Sequence, residues 1–284
     1  MTKPTLHQEA QNNQLLKDET LKEQIHQANV TVHRFEAKYY EVLHPEVYSK
    51  QEQKRIAAKL KTIDLQIANN QRNALDVGAG TGNLTGKLLQ MGYNVTATDI
   101  SPEMCAILKK KYSSYLAHKL TVINSPIENL SFGKGKFDLI AFYSVLHHLP
   151  DYIDALKTLM FFLKKGGVIY IDHEASPSYW SREPSSLASF VKAIYFHSNP
   201  IVNSLYFQII GLKVPTIDYT LSDYWHKKEH ALNHQAISQV FKEEGFEFYM
   251  RTEYYQNSTW LPNPLSIIYR LLCSPEMSYW TAKK

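Results

Sequence analysis

The 284-residue sequence contains little cysteine, and its two cysteines, Cys105 and Cys273, lie far apart. This argues against a disulfide framework or a cysteine-built metal site and is typical of a reducing compartment. Long apolar runs are absent as well, because the stretches 159–163 and 201–212 are too short or too interrupted to span a bilayer. The first 18 residues lack the basic start and apolar run of a secretory signal. We therefore expect a cytoplasmic protein without membrane insertion.

A basic stripe with interleaved aromatic residues, the usual mark of nucleic-acid binding, is also missing. The net charge of +4 is spread along the sequence, and its densest basic cluster, 109–111, falls on the exposed face of a predicted helix. The 19 tyrosines instead offer amphipathic walls for an organic ligand. We expect a small-molecule ligand and no nucleic-acid partner, and the oligomeric state stays open.

Hydrophobic periodicity divides the chain into four segments. Residues 1–70 show helical spacing and predict an N-terminal helical cover, whereas 71–174 alternate short apolar runs with helix signals and predict a parallel sheet between helices. The alternation stops across 175–231, which predicts an inserted lid, and 232–284 contain a helix and two strands that complete the sheet. Strands are predicted at 74–77, 93–98, 120–123, 137–143, 167–171, 246–255 and 265–272. In such sheets ligands bind beyond the carboxyl ends of the strands.

A glycine-rich loop follows the first predicted strand. Gly78, Gly80 and Gly82 alternate after Asp76 and precede a helix that begins at Asn83. Glycines let a ligand approach the main chain, and the helix N-terminus offers free N–H groups. A dinucleotide fingerprint would place the third glycine three residues after the second, and a P-loop would end in Gly-Lys-Ser/Thr. Because neither pattern is present, a nicotinamide dehydrogenase is a lesser alternative.

An acidic residue ends the second predicted strand. Asp99 can accept hydrogen bonds from both hydroxyls of a ribose, and each sheltered bond of this kind contributes about 1.5 to 3 kcal/mol. The alternative role, a helix N-cap, is already filled by Ser101 before Pro102. We therefore interpret Asp99 as a ribose ligand.

Together with residues 137–140 (Phe-Asp-Leu-Ile) and 163–167 (Leu-Lys-Lys-Gly-Gly), these motifs resemble class I S-adenosylmethionine (SAM)-dependent methyltransferases of the ubiquinone and menaquinone biosynthesis type. The resemblance covers about residues 70–174. It implies an α/β doubly wound, Rossmann-like sheet of seven mostly parallel strands with an antiparallel last strand. It also implies SAM as the cofactor and S-adenosylhomocysteine (SAH) as its product. The implied cofactor-binding residues are Asp76, Gly78, Ala79, Gly80, Gly82, Asp99, Ile100, Met104, Ile127, Tyr143 and Ser144.

One position departs from the family's pattern. After the third strand the family commonly carries an Asp that binds the adenine amino group, and Pro126 occupies that place here. Packing, backbone groups near Ile127 or the side chain of Glu128 would then hold the adenine.

Polar residues after the fourth and fifth predicted strands are the candidate catalytic groups. His148 follows the fourth strand, and His173 and Glu174 follow the fifth; each could act as a general base if the methyl acceptor must lose a proton. The Leu-His-His-Leu-Pro pattern around His147 occurs widely in the family, which favours a structural role for this pair of histidines. A His-Glu pair could also bind a metal, but no third ligand is evident, and we expect no metal.

Aromatic residues are predicted on both sides of the cofactor. Tyr39 and Tyr40, with Phe35, either fold over SAM as a lid or pack between helices. A second set would form the wall of the acceptor site or the core of the lid, and such a wall suits an aromatic or lipid-like acceptor. That set is Tyr179, Trp180, Tyr195, Phe196, Tyr206, Phe207, Tyr219, Tyr224 and Trp225.

The sequence thus predicts a SAM-dependent methyltransferase that methylates O, N or C of a small organic molecule. An adenine methyltransferase of RNA or DNA would carry Asn/Asp-Pro-Pro-Tyr/Phe after the fourth strand, where residues 142–145 read Phe-Tyr-Ser-Val. The paired-glutamate loop of protein arginine methyltransferases is not recognisable either. RNA or protein methylation, and a SAM-binding partner protein without activity, stay open as alternatives.

Overall fold

A computed structural model describes residues 19–67, 72–177, 179, 220–226, 230–254 and 276–284. Within these residues the chain forms one seven-stranded sheet in the order β3-β2-β1-β4-β5-β7-β6. The strands are β1 (Asn73–Val77), β2 (Asn94–Asp99), β3 (Leu120–Asn124), β4 (Phe137–Tyr143), β5 (Leu163–Ala175), β6 (Glu247–Tyr254) and β7 (Glu276–Lys283).

Helices flank this sheet and connect its parallel strands. They are α1 (Glu19–Glu36), α2 (Tyr40–Leu43), α3 (Pro45–Tyr48), α4 (Lys50–Asp64), α5 (Asn83–Gln90), α6 (Pro102–Lys111), α7 (Tyr152–Phe162) and α8 (His234–Glu243). The predicted cap of α6 is confirmed, since the Ser101 hydroxyl accepts a hydrogen bond from the Met104 N–H. Among the described helices, none is long and apolar enough to cross a membrane.

The predicted fold class is confirmed. Strands β1 to β5 pair in parallel, whereas β7 runs antiparallel to both β5 and β6. The register sets Val77 beside both Thr98 and Phe142, so the carboxyl ends of β1, β2 and β4 meet at one edge. β4 is buried along almost its whole length, which explains its continuous apolar run.

Two strands differ from the predictions. β5 begins at Leu163 rather than at 167, because Leu163 already pairs with Phe137 ahead of a register shift. The strand inserted between β5 and β6 is β7, which the sequence analysis missed because Glu276 and Lys283 give its ends a polar character. Its centre is nevertheless apolar, and Trp280 is fully buried. The predicted strand at 265–272 and most of the predicted lid lie outside the described residues.

The N-terminal helices pack on both hydrophobic clusters of the sheet. Ile25 of α1 joins the cluster that contains Leu75 and Phe142. On α4, Ile56 and Leu60 join the other cluster. α1 therefore crosses the edge where the carboxyl ends of the central strands meet.

Candidate functional site

A cavity opens at the carboxyl ends of β1, β2 and β4. It encloses about 710 Å³ of empty space, counting the open solvent at its mouth. Most of the cofactor-binding residues predicted from the sequence line this cavity. They are Gly78, Gly80, Asp99, Ile100, Met104, Ile127, Tyr143 and Ser144.

The glycine loop forms the floor of the cavity in a conformation that favours glycine. Gly78, Gly80 and Gly82 all have positive φ angles, of 63°, 53° and 94°. A Cβ added at Gly80 would meet no atom nearer than Cε1 of Tyr40, at 4.0 Å. The space above the Gly80 main chain is therefore open, as a ligand that rests on the backbone requires.

Asp99 lies in the wall of the cavity, with both carboxylate oxygens fixed by backbone N–H groups. The backbone N–H of Gly80 donates to Oδ2 and that of Ser101 donates to Oδ1, each with an N···O distance of 2.8 Å. Burial raises the pKa of Asp99, and His33 opposes that shift. A carboxylate has about four acceptor positions, so these two bonds leave capacity for the two hydroxyls of a ribose. The contact of Asp99 with a ribose stays a prediction.

Asp76, Ala79 and Gly82 are not among the residues that line the cavity. The Asp76 carboxylate is buried and accepts a hydrogen bond of 2.5 Å from the Thr85 hydroxyl, and burial raises its pKa to about 7. Gly82 packs against the ring of Tyr112. These residues shape the loop, and their contact with SAM stays a prediction.

α1 contributes cavity residues that the sequence analysis did not identify. His26, Asn29 and His33 follow one another at helical spacing and line the cavity. The Asn29 Nδ2 donates to the backbone oxygens of Ile25 and His148, with an N···O distance of 3.0 Å in both bonds. The sequence signal that could have identified them is the polar Asn29 four residues after the apolar Ile25, on the same helix face; both are buried in the structure. Tyr40, one of the predicted lid aromatics, lines the same cavity.

The end of the cavity predicted to hold adenine contains an acidic side chain displaced from the family position. Glu128 lines the cavity beside Pro126, and its Oε1 lies 3.4 Å from Nε2 of His26. Burial favours the neutral carboxyl, but the hydrogen bond with His26, a backbone hydrogen bond and the electrostatic effects of His26 and Lys22 together outweigh it and lower the pKa of Glu128. Glu128 can therefore accept a hydrogen bond, and its contact with adenine stays a prediction.

Of the three predicted catalytic residues, His148 lines the cavity. Its Nδ1 lies 2.7 Å from the backbone oxygen of Ser222, so Nδ1 carries a proton. Burial and the neighbouring His147 hold the pKa of His148 well below its usual value. The ring is therefore neutral, with Nε2 as its lone-pair nitrogen.

Glu174 anchors the loop that follows β4. Its Oε1 accepts hydrogen bonds from the N–H groups of Val145 and Leu146, with N···O distances of 2.9 and 2.8 Å. Its Oε2 lies 2.7 Å from Nδ1 of His147. Burial opposes ionisation, but the charge and hydrogen bond of His147 and the two backbone N–H groups together outweigh it and lower the pKa of Glu174. With three partners in a fully buried position, Glu174 has the geometry of a positioning residue.

His173 is held at a left-handed backbone position, with φ 64°, and its ring stacks on that of Tyr143 at 4.9 Å. The Tyr143 hydroxyl donates to Oε1 of Glu52 over 2.8 Å. Glu52 in turn binds Arg55, whose Nη2 lies 2.8 Å from Oδ2 of Asp172. A buried polar network thus joins α4 to the ends of β4 and β5 and fixes the Tyr143 ring beside the cavity.

The described aromatic residues of the predicted lid segment pack in the interior. Tyr224 and Trp225 are buried, and Trp225 Nε1 donates to the Leu149 backbone oxygen over 2.8 Å. Of the two roles predicted for this set, the wall of the acceptor site or the core of the lid, Tyr224 and Trp225 have the packing of core residues. The predicted wall residues Trp180, Tyr195, Phe196, Tyr206, Phe207 and Tyr219 lie outside the described residues.

Comparison with known proteins matches the segment that contains most of the residues lining this cavity. A family model described as a methyltransferase domain matches residues 75–171. The chain is 25% identical over 201 residues to the demethylmenaquinone methyltransferase of Chlorobaculum parvum, covering 68% of this chain and 73% of that protein. It is 29% identical over 119 residues to a ubiquinone biosynthesis O-methyltransferase of Colwellia psychrerythraea, covering 40% of this chain and 47% of that protein. The second match spans about half of the relative's length.

Solved structures support the same fold. A plantazolicin methyltransferase in complex with SAH is 14% identical, with a TM-score of 0.52, and the match covers 93% of this chain and 99% of that chain. A SAM-dependent methyltransferase of Leishmania major is 13% identical, with a TM-score of 0.51 over 95% of this chain and 86% of that one. At these identities the likeness concerns the fold alone.

Proposed function

Because this chain carries a class I SAM-dependent methyltransferase domain, we propose that it binds SAM in the cavity at the ends of β1, β2 and β4 and methylates a small organic molecule. The observation that carries the proposal is the arrangement of Asp99 and Gly80. The carboxylate is oriented by two backbone N–H groups and keeps acceptor capacity, while the main chain of Gly80 lies open beside it.

In this proposal each part of SAM has its own set of residues. Asp99 accepts hydrogen bonds from the ribose hydroxyls, and the glycine loop supports the methionine portion. Ile100, Met104 and Ile127 enclose the adenine, a role that suits the buried Met104 and Ile127. Tyr143 and Ser144 border the sulfonium.

When bound, SAM supplies a methyl group activated by its positively charged sulfur. The protein's tasks are therefore to align the acceptor with the sulfur–methyl bond and to exclude water. The network of Glu52, Arg55 and Asp172 helps to align the acceptor, because it fixes the Tyr143 ring at the cavity wall. α1 contributes to the exclusion of water, since His26, Asn29 and His33 line the cavity.

We place the acceptor on the side of His148, with His173 and Glu174 as positioning residues behind it. An aromatic or lipid-like acceptor is favoured, and the names of the demethylmenaquinone and ubiquinone biosynthesis relatives support that class. Methylation of O, N or C is compatible with the proposal. RNA or protein methylation, and SAM binding without transfer, are the competing functions.

Isothermal titration with SAM and SAH tests cofactor binding. We expect micromolar affinity for the wild type, at least ~10-fold weaker binding for Asp99→Asn and Asp99→Ala, and wild-type binding for the control Asp154→Asn, an exposed acid on α7. Absence of SAM binding together with binding of NAD would overturn the proposal in favour of a dehydrogenase.

Transfer itself is tested with radiolabelled SAM and a panel of phenols, quinones and glycolipids, read out as labelled product and SAH. Turnover with a small molecule that is lost in Asp99→Ala supports the proposal. SAM binding without turnover on the panel, combined with labelling of RNA or protein from a lysate, would favour the macromolecular alternative instead.

A further inference from the structure

A cluster of possible metal ligands lies beside the cavity. His147, His148 and Asp223 each offer one ligand atom, and these three atoms lie within 4.8 Å of one another. The two histidines belong to the loop after β4, whereas Asp223 belongs to the described segment 220–226. No metal was expected from the sequence, where a His-Glu pair lacked a third ligand. That pair contributes no ligand atom to this cluster, which Asp223, 76 positions after His147, completes in the fold.

The hydrogen bonds of the two histidines match those of metal-binding imidazoles. A histidine that binds a metal usually donates its other ring N–H to a carboxylate or a backbone oxygen, which fixes the ring and its tautomer. His147 Nδ1 lies 2.7 Å from the Glu174 carboxylate, and His148 Nδ1 lies 2.7 Å from the Ser222 backbone oxygen. On both rings, Nε2 is the nitrogen outside these bonds. The His148 nitrogen that lies 3.5 Å from Oδ1 of Asp223 is Nδ1, so a metal ion bound at Nε2 requires the Asp223 side chain to turn toward that nitrogen.

The donor set indicates the class of metal. Two imidazoles and one carboxylate suit Zn²⁺ and neighbouring divalent transition metals rather than Mg²⁺ or Ca²⁺, which prefer oxygen ligands. Three protein ligands would leave one tetrahedral position open, as in exchangeable or catalytic zinc sites. The Asp223 side chain is 37% exposed, so an ion can reach the cluster from solvent.

We propose that His147, His148 and Asp223 bind one Zn²⁺-class metal ion, with Glu174 and Ser222 as the outer partners that orient the two rings. His148 also lines the cavity, so the open position of the metal adjoins the acceptor side. His148 is then a ligand rather than the general base predicted from sequence. The placement next to an acceptor rests on the proposed function, but metal binding itself does not.

The test uses the full chain without a polyhistidine tag, in the absence of SAM. Metal content is set to zero with a chelator, and Zn²⁺ is titrated by calorimetry; Co²⁺ is added separately, because its visible absorption reports the coordination geometry. The variants are His148→Gln and Asp223→Asn, with His118→Gln and Asp154→Asn as controls of the same residue types at exposed positions. Circular dichroism establishes that each variant folds.

We expect about one Zn²⁺ per chain and a tetrahedral Co²⁺ spectrum. Loss of an outer partner typically weakens metal binding by roughly 10- to 100-fold, so loss of a direct ligand in either variant should weaken it by ~100-fold or more. The controls should bind as the wild type does. No stoichiometric binding, or equal affinity in folded His148→Gln and Asp223→Asn, would overturn the metal site and leave the SAM titration unaffected.

Discussion

The ring of Tyr112 packs directly against Gly82: its hydroxyl donates a 3.0 Å hydrogen bond to the Gly82 backbone oxygen, and a Cβ on Gly82 would come within 2.5 Å of Tyr112 Cε2. The third glycine of the loop therefore meets two requirements at once. Its φ of 94° favours glycine, and the close approach of α6 leaves no room for a side chain.

Gly82→Ala should destabilise the protein more than Gly92→Ala. Gly92 has nearly the same φ, 90°, but a Cβ there would meet no atom within 4 Å. Gly92→Ala should thus lower the free energy of unfolding by about 1 to 2 kcal/mol, the cost of a left-handed backbone. Gly82→Ala should lower it by a further ~1 to 3 kcal/mol through overpacking. Urea unfolding measures both, and equal losses would mean that Tyr112 moves aside without cost.

Asn29→Ala should weaken SAM binding, because it removes the hydrogen bond that ties α1 to the loop after β4. A net contribution of about 0.5 to 1.5 kcal/mol corresponds to a rise in Kd of roughly 2- to 12-fold. Gln27→Ala is the control, since Gln27 lies on the same helix and its side-chain amide donates to the exposed Glu23. Calorimetry gives the affinities, and hydrogen exchange of 19–36 should rise in Asn29→Ala. An unchanged Kd would show that α1 does not contribute to SAM binding through this bond.

Arg55→Met should cost about 3 to 5 kcal/mol of unfolding free energy, since it leaves the buried carboxylates of Glu52 and Asp172 without their cation. Arg34→Met removes an exposed ion pair with Glu103 and should cost no more than about 1 kcal/mol. Chemical denaturation compares the two variants. Similar small losses for both would contradict a buried network that depends on Arg55.

Asp76→Asn should change how stability depends on pH. Burial raises the pKa of Asp76 from 3.8 to about 7, so the native state holds this proton more tightly than the unfolded chain does. By linkage, the buried carboxyl makes the wild type progressively less stable as the pH rises from about 4 to about 7. Asparagine keeps an oxygen for the Thr85 hydroxyl but cannot ionise.

The unfolding free energy of Asp76→Asn, relative to wild type, should therefore increase across that window by at most about 4 kcal/mol. Urea titrations between pH 4.5 and 8 in the absence of SAM measure this difference. Asp154→Asn, at an exposed position, should show a nearly constant difference over the same range. A constant difference for Asp76→Asn as well would mean that Asp76 ionises normally in the folded chain.

The parts of the site that could be predicted from the sequence are those that depend on short local patterns of residues. Gly78 and Gly80 lie in the loop after β1, Asp99 is the last residue of β2, and the parallel order of the sheet brings strand ends together. Their place in the cavity thus follows from periodicity and spacing alone. The boundaries of β1 to β4 were predictable for the same reason, because these strands are short apolar runs between helices.

The remaining parts depend on tertiary packing that no local pattern encodes. His26 and Asn29 enter the cavity only because α1 crosses the strand ends. Glu174 was a plausible base in the sequence, but its oxygens are already engaged by the backbone of Val145 and Leu146 and by His147. Asp223 joins the histidine pair through folding of a distant segment.

The position of β7 bears on how the protein is made. β7 follows every other described strand in the chain, yet it lies between β5 and β6 and pairs with both. While the ribosome is still synthesising residues 276–283, the edge of β5 has unpaired backbone groups and β6 has no neighbour in this sheet. The emerging chain therefore presents an open strand edge, the feature through which partly folded proteins associate, until the last of these strands leaves the exit tunnel.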